Sequence, residues 1–455
     1  MEYGDRVRGC LLGGAIGDAL GAPIEFSSLR EIRKHHGVTG ISGYIADWRG
    51  KTGLITDDTQ MTLFTIEGLL SGDFTREGPL SGDFTTEGPL VGDPVLSVRQ
   101  AYLRWLDTQD HKAPPPADQP WRTGTLRQEA WLYSRRAPGN ACLSGLHQPF
   151  PGPVAMGAPG PVNPASKGCG TVMRSAPFGL VSRSPREAFT LAAECAQITH
   201  GHPTGYLAAG AFAAIVHQLV AGADLLPAVQ DALDLLASHP AHEETTAALS
   251  AALSAASRTH PPDSPHTPTT PHRPVDPHTP EGSRTPGNPH TPTDPRTPDD
   301  PHTPTDLRAP NNPHTPDDPH TPTNPRTPTD LRMPDDPRTP DRPPMPEKPG
   351  KPNRVPRTSP AMAAPEAVEA LGGAWVAEEA LAIGIYCALA EPSPERALLL
   401  SVNHSGDSDS TGSVCGNLIG AWRGESALPS IWLRDLEGRD TITRLADELT
   451  ARRPD

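Results

Sequence analysis

Apolar side chains recur at three- and four-residue spacing along most of the chain, and the strict alternation that marks a half-buried strand is nearly absent. The spacing predicts helices over Thr59 to Leu70, Val98 to Leu106, Thr204 to Val220, Leu225 to Leu236, Ala374 to Leu389 and Thr441 to Leu449. Start signals sharpen two more. Ser184-Pro185-Arg186-Glu187 offers an N-cap, a first-turn Pro and a capping-box Glu ahead of Ala188 to Ile198, and Ser393-Pro394 repeats that start. A helix ends near Asn403, and a run of small residues follows from Ser413 to Ala421. Aromatic residues make up only 5% of the chain while Ala, Leu and Gly abound, which favours closely packed helices over a sheet. The predicted class is all-α.

The helical pattern stops at about residue 259 and resumes after 365. Between them runs a repeat of the form Pro-His-Thr-Pro-x-Asp-Pro-Arg-Thr-Pro that holds 33 of the 57 prolines. Closely spaced prolines remove backbone donors and favour polyproline II, and the intervening Thr, Asp, Asn, Arg and His bury little. Residues 259–365 are therefore expected to be a disordered insertion, with 1–258 and 366–450 forming two parts of one domain. No apolar face exists for a solenoid to stack, and the insert's eight histidines are too isolated to define a metal site. A polyproline-binding partner is the kind the insert suits. A second, smaller irregularity is the tandem repeat Gly68 to Glu77 and Gly78 to Glu87, expected to extend a surface loop.

The net charge of −15 and the lack of a Lys/Arg stripe argue against nucleic acid as the main ligand. The six cysteines contain no C-x-x-C pair, so reduced, buried thiols are expected. Arg6 and Arg8 before the apolar run from Cys10 to Ile16 loosely imitate a signal peptide, but the run is short and Asp18 interrupts the pattern. Gly205 to Gly222 is long enough to span a bilayer, yet it is mostly Ala and contains His217 and Gln218, so a buried core helix is expected. A cytoplasmic, non-membrane monomer is the resulting expectation.

Candidate chemistry lies in three places. Thr56-Asp57-Asp58-Thr59 precedes an amphipathic run; one Asp would suffice as a cap, and two between hydroxyls suit a hard cation that takes several oxygen ligands. Gly406-Asp407-Ser408-Asp409-Ser410-Thr411-Gly412 is a second oxygen-rich cluster, and Leu418 in place of the required bidentate Glu rules against an EF-hand. Gly13 to Phe26 carries glycines three or four apart, as where helices approach closely, and no strand precedes them as a dinucleotide fingerprint requires. Glu25, after Pro23, lies at a helix end where it can face a cleft.

Gly17-Asp18-Ala19-Leu20-Gly21-Ala22-Pro23-Ile24-Glu25, Thr56-Asp57-Asp58-Thr59 and Gly406-Asp407-Ser408-Asp409-Ser410 together resemble the motifs of the ADP-ribosylglycohydrolase family. Arg136 to Asn140, Ser166 to Arg174 and Ile198 to Pro203 support the resemblance in the order that family places them.

The resemblance implies an orthogonal multi-helix domain with two magnesium ions, or manganese in their place, at the base of an ADP-ribose cleft. It implies Thr56, Asp57, Asp58, Asp407, Asp409 and Ser410 as metal ligands, with Glu25 near the metals and the scissile bond. It also implies that Gly168, Cys169, Gly170, Thr171 and Met173 approach the diphosphate with backbone donors and that His200 lies near the substrate. The implied reaction is metal-dependent removal of ADP-ribose from a protein side chain or small acceptor by cleaving an N- or O-glycosidic bond. Glu25 or one of the pair Asp57 and Asp58 would transfer the proton, and sequence leaves that choice open. A metal-dependent hydrolase of another nucleotide-like substrate and a non-catalytic protein on the same scaffold are the competing readings.

Overall fold

The computed structural model describes residues 2–72, 93–259 and 363–452. Ten helices precede the Pro-rich segment. They are α1 (Tyr3–Gly21), α2 (Leu29–His36), α3 (Asp57–Ser71), α4 (Pro94–Asp110), α5 (Asn140–Leu146), α6 (Ala176–Val181), α7 (Pro185–Ala196), α8 (Pro203–Val220), α9 (Leu225–Leu236) and α10 (Glu243–Thr259). Six follow it: α11 (Pro365–Glu369), α12 (Ala377–Ala390), α13 (Pro394–Val402), α14 (Ser408–Arg423), α15 (Ser430–Asp435) and α16 (Arg439–Ala451). Among the described residues there is no strand, only an isolated antiparallel bridge between Gly168 and Val376. The fold is all-α. Residues 260–362 and most of the tandem repeat lie outside the described residues, although Gly68 to Ser71 of the first copy close α3.

Most expected helices appear, with boundaries set by capping. Thr56, rather than either aspartate, is the N-cap of α3; its side chain accepts from the Asp58 amide. Asp93 caps α4 and extends it beyond the apolar run. Ser184 caps α7 as its motif suggests, but the Glu187 carboxylate takes the Arg183 amide, so the box is not closed on Ser184 itself. The reciprocal capping box occurs instead at Ser28 and Glu31, the start of α2. The helix expected from Ala374 begins at Ala377, because Ala374 has φ +63° and Trp375 is held by the bridge. α8 is buried along nearly its whole length, and no described helix is long and apolar enough to cross a membrane.

The central contact joins the two ends of the chain. α1 and α14 run antiparallel, with Gly9, Gly13 and Gly17 facing Gly420, Gly416 and Gly412, and Gly21 facing Ser408. The backbones touch: an added Cβ at Gly9 would lie 2.6 Å from the Gly420 carbonyl oxygen, and the other pairs are tighter. Glycine at four-residue spacing thus permits the approach that the sequence suggests. α16 covers α1, while α12 packs on α10 and α14. Five cysteines are buried and Cys169 is partly exposed; all six are free. The edges of the Pro-rich segment meet on one side chain, since Tyr386 hydrogen-bonds both Thr259, at the end of α10, and the backbone of Ala364.

Candidate active site

The close α1–α14 contact brings the end of α1 to the start of α14, and α3 is fixed beside them by Asp18. This carboxylate, wholly buried on α1, accepts from the Thr56 amide at 3.0 Å, the Thr56 hydroxyl at 2.8 Å, the Thr59 amide at 3.1 Å and the Thr59 hydroxyl at 2.5 Å. Burial drives its pKa up and those four bonds hold it back, leaving it at about 6. Asp18 is the functional position that sequence reasoning missed. Its signal was the one charged residue in the glycine-rich apolar stretch from Gly9 to Ile24, which must find partners once buried. On the other side, Arg136 pairs with Glu437 and donates to the Ile55 carbonyl, bracing the strand of chain that leads into Thr56.

With the cap supplied by Thr56, both following acids are released toward the cleft. Asp57 accepts from the Gly139 amide at 3.2 Å and lies beside Asp18 and Asp407. Asp58 is close to Asp18, Asp57 and Asp407 and bonds the Ser410 side chain, while its Oδ2 is buried without a partner. At α14, Asp407 is itself the N-cap, accepting from the Ser410 amide at 3.3 Å, and Asp409 accepts from the same amide at 3.0 Å. One oxygen each from Glu25, Asp407 and Asp409 lies within 4.8 Å of the others.

Burial and repulsion from neighbouring acids push Glu25, Asp57, Asp58 and Asp409 upward. Glu25 rises to about 8 through desolvation and its neighbours Asp407, Asp57 and Asp18. Asp57 also rises to about 8, and Asp58 and Asp409 lie well above the usual carboxylate range for the same reasons. Among the described residues no Lys or Arg pairs with any of these acids. Clustered oxygen donors, an orphaned buried carboxylate oxygen and no protein counter-charge fit a site for hard divalent cations.

The Gly168 to Met173 segment forms the adjoining wall. Its 3-10 turn, Cys169–Thr171, is tied to the C-terminal part of the chain by Cys169 N–H donating to Trp375 O at 3.3 Å and Ala377 N–H to Lys167 O at 2.9 Å. The partly exposed Cys169 thiol reaches Asp407 and Ser410. The side chains of Thr171 and Met173 are buried, away from the acids; Thr171 donates to Gly205 O and Met173 O accepts from Thr62. The amides of Cys169, Thr171, Val172 and Met173 are bonded within the fold, while those of Gly168 and Gly170 have no partner among the described residues. His200 is buried beneath these two glycines, and His202 caps α8. At the rim, exposed Phe26, next to Glu25, stacks on Trp375 with ring centroids 5.7 Å apart.

Comparison with known proteins bears on this arrangement. An ADP-ribosyl-[dinitrogen reductase] glycohydrolase of Rhodospirillum rubrum is 27% identical over 240 residues, covering 52% of this chain and 65% of that protein. ADP-ribosylhydrolase ARH3 of Homo sapiens is 33% identical over 95 residues, 18% of this chain and 26% of that protein. The chain thus spans less than two thirds of either curated relative. A solved structure titled ADP-ribosylglycohydrolase-related protein complex is 20% identical with a TM-score of 0.52 and 99% of both chains covered, a likeness of fold. The family model for ADP-ribosylglycohydrolase matches residues 1–282 and 346–455, and the chain belongs to that family.

Proposed function

We propose that this protein is a divalent-metal-dependent hydrolase that releases ADP-ribose from a modified protein side chain or small acceptor by cleaving an N- or O-glycosidic bond. The observation that carries the reading is the convergence of Asp57, Asp58, Asp407 and Asp409 at two helix N-termini with Glu25 from the end of α1, and with no Lys or Arg among the described residues paired to them. In this reading Thr56, Asp57, Asp58, Asp407, Asp409 and Ser410 hold two magnesium ions, or manganese in their place, with Glu25 at the edge of the pair. Bound there, the metal pair supplies Lewis acidity and charge neutralisation next to the ribose.

The chain's own groups do the rest. Glu25 or one of the pair Asp57 and Asp58 hands a proton to the departing nitrogen or oxygen; without metal, burial and the neighbouring acids hold Glu25 at about 8, and cations bound beside it would lower that value. Asp18 holds Thr56 and Thr59 so that both α3 acids face the cleft, and the free amides of Gly168 and Gly170 meet a diphosphate. Residues 260–362, between α10 and α11, act as an insertion between the two parts of the catalytic domain and take no part in the chemistry.

The test is release of free ADP-ribose from a mixed pool of ADP-ribosylated proteins, with magnesium and with a chelator, using Asp57→Ala as the blank. Magnesium-dependent release absent from the blank is the expected result. Binding of ADP-ribose without release would move the assignment to another nucleotide-like substrate on the same site. Absence of both ADP-ribose and magnesium binding would leave a non-catalytic protein on this scaffold.

A further inference from the structure

Arg174 is a buried cation with no carboxylate partner among the described residues, an arrangement that is costly unless the charge is put to use. Its guanidinium lies 4.5 Å over the Tyr102 ring, donates from Nη1 to the sulfurs of Met61 and Cys142 at 3.5 Å, and donates from Nη2 to Thr199 Oγ1 at 2.6 Å. Thr199 Oγ1 is in turn 2.7 Å from His200 Nδ1.

Donor bookkeeping fixes the direction of this chain. Arginine has no acceptor, so Thr199 must accept from it and has one hydroxyl proton left to give. Among the described residues the acceptor within reach of that proton is His200 Nδ1; a proton on Nδ1 would instead leave the Thr199 hydroxyl unpaired in a buried site. His200 is also held uncharged, since burial and then Arg174 push its pKa down to about 3. Neutral imidazole carries one proton, which is thereby assigned to Nε2. Nε2 has no hydrogen-bond partner among the described residues and abuts the glycine turn, 3.2 Å from where a Cβ on Gly168 would stand and 3.3 Å from one on Gly170.

We infer that Arg174 and Thr199 are positioning residues that lock His200 as the Nε2–H tautomer and so present a permanent N–H donor under the Gly168–Gly170 turn to an acceptor oxygen of the ligand. The inference rests on the proposed function for the identity of that ligand, and on hydrogen bonding alone for the tautomer. It also gives Gly168 and Gly170 a second reason to be glycine, because a side chain on either would cover Nε2.

The experiment uses the full chain with magnesium, labelled with 15N-histidine, and reads the two ring nitrogens of His200 by long-range 1H–15N correlation, assigned with His200→Gln. The expected spectrum has Nε2 protonated and Nδ1 bare. Thr199→Val should yield a tautomer mixture and about tenfold weaker ADP-ribose binding by calorimetry, the scale of one lost hydrogen bond to a charged ligand. Thr199→Ser should restore both. A wild-type spectrum with the proton on Nδ1 would overturn the inference, as would a Thr199→Val protein that keeps both tautomer and affinity. If Thr199→Val does not fold, the wild-type and Thr199→Ser spectra decide. Failure of the wild type to bind ADP-ribose would sink the functional reading and the ligand part of this inference, while an Nε2–H spectrum would still uphold the positioning by Arg174 and Thr199.

Discussion

α3 and α14 each bring a pair of aspartates to one cleft at their N-termini, but they are held there by different forces. The start of α3 is tied by polar bonds: Thr56 caps it, and the buried Asp18 carboxylate collects the amides and hydroxyls of Thr56 and Thr59. The start of α14 is held by shape, because its glycines lie directly on the backbone of α1 and its cap, Asp407, is one of the site acids. Polar anchoring frees both acids of α3 from capping. At α14 the glycine contact is reinforced by Ser408 Oγ donating to Gly21 O and Thr411 Oγ1 to Ser401 O, and Asp407 serves as cap and site acid together.

Breaking the packed anchor should have the largest effect. Gly416→Leu places a side chain against the Gly13 carbonyl, where nothing flexible can yield, and should cost on the order of 4 kcal/mol or more in denaturant unfolding, or prevent soluble expression. Breaking the polar anchor is milder. Asp18→Ala strands two buried amides and two hydroxyls, so a loss of about 3 kcal/mol is expected, with helicity by circular dichroism retained and magnesium affinity reduced.

The acids that both anchors gather should also give the chelated protein an inverted pH dependence. Asp57 and Glu25 bind protons more tightly folded, at about 8, than at their ordinary values of 3.8 and 4.5. The folded state then holds more protons than the unfolded one between those limits, and stability falls as pH rises from about 4 to about 8. Thermal unfolding with chelator should show stability lost progressively from pH 5 to 8. Magnesium should flatten that slope, and a slope of opposite sign in chelator would contradict the charge-repulsion account. The smallest effect concerns the segment that separates the two anchors along the chain. Replacing residues 262–362 by a short Gly/Ser linker should leave turnover unchanged and raise stability by at most about 2 kcal/mol through a smaller closed loop. Loss of folding would count against its reading as an insertion.

Much of this architecture was legible from local signals. The caps at Ser184 and Ser393, the acid pairs and the four-residue glycine spacing are all encoded within a few residues of where they act. What escaped was set by partners distant in sequence. Asp18 becomes an anchor only through Thr56 and Thr59, 38 and 41 positions away. Thr56 wins the capping role because Asp57 and Asp58 are drawn toward Gly139 and Ser410. Helix α10, rich in Ala, Ser and Thr and weak in apolar contrast, earns its order by packing against α12 from beyond the Pro-rich segment. The internal bonding of the Gly168 to Met173 amides likewise depends on Trp375, so the count of free donors could not be read from the loop itself.

The glycine contact between α1 and α14 also sets a clock. The surface that completes α1 is made roughly 400 residues after it, which at ribosomal rates of about 5–20 residues per second is a wait of some 20–80 s. Throughout that interval the glycine face of α1 has no native cover, although α3, α6 and α8 can pack on its other sides. Each residue of the Pro-rich segment lengthens that period before the acid site can exist.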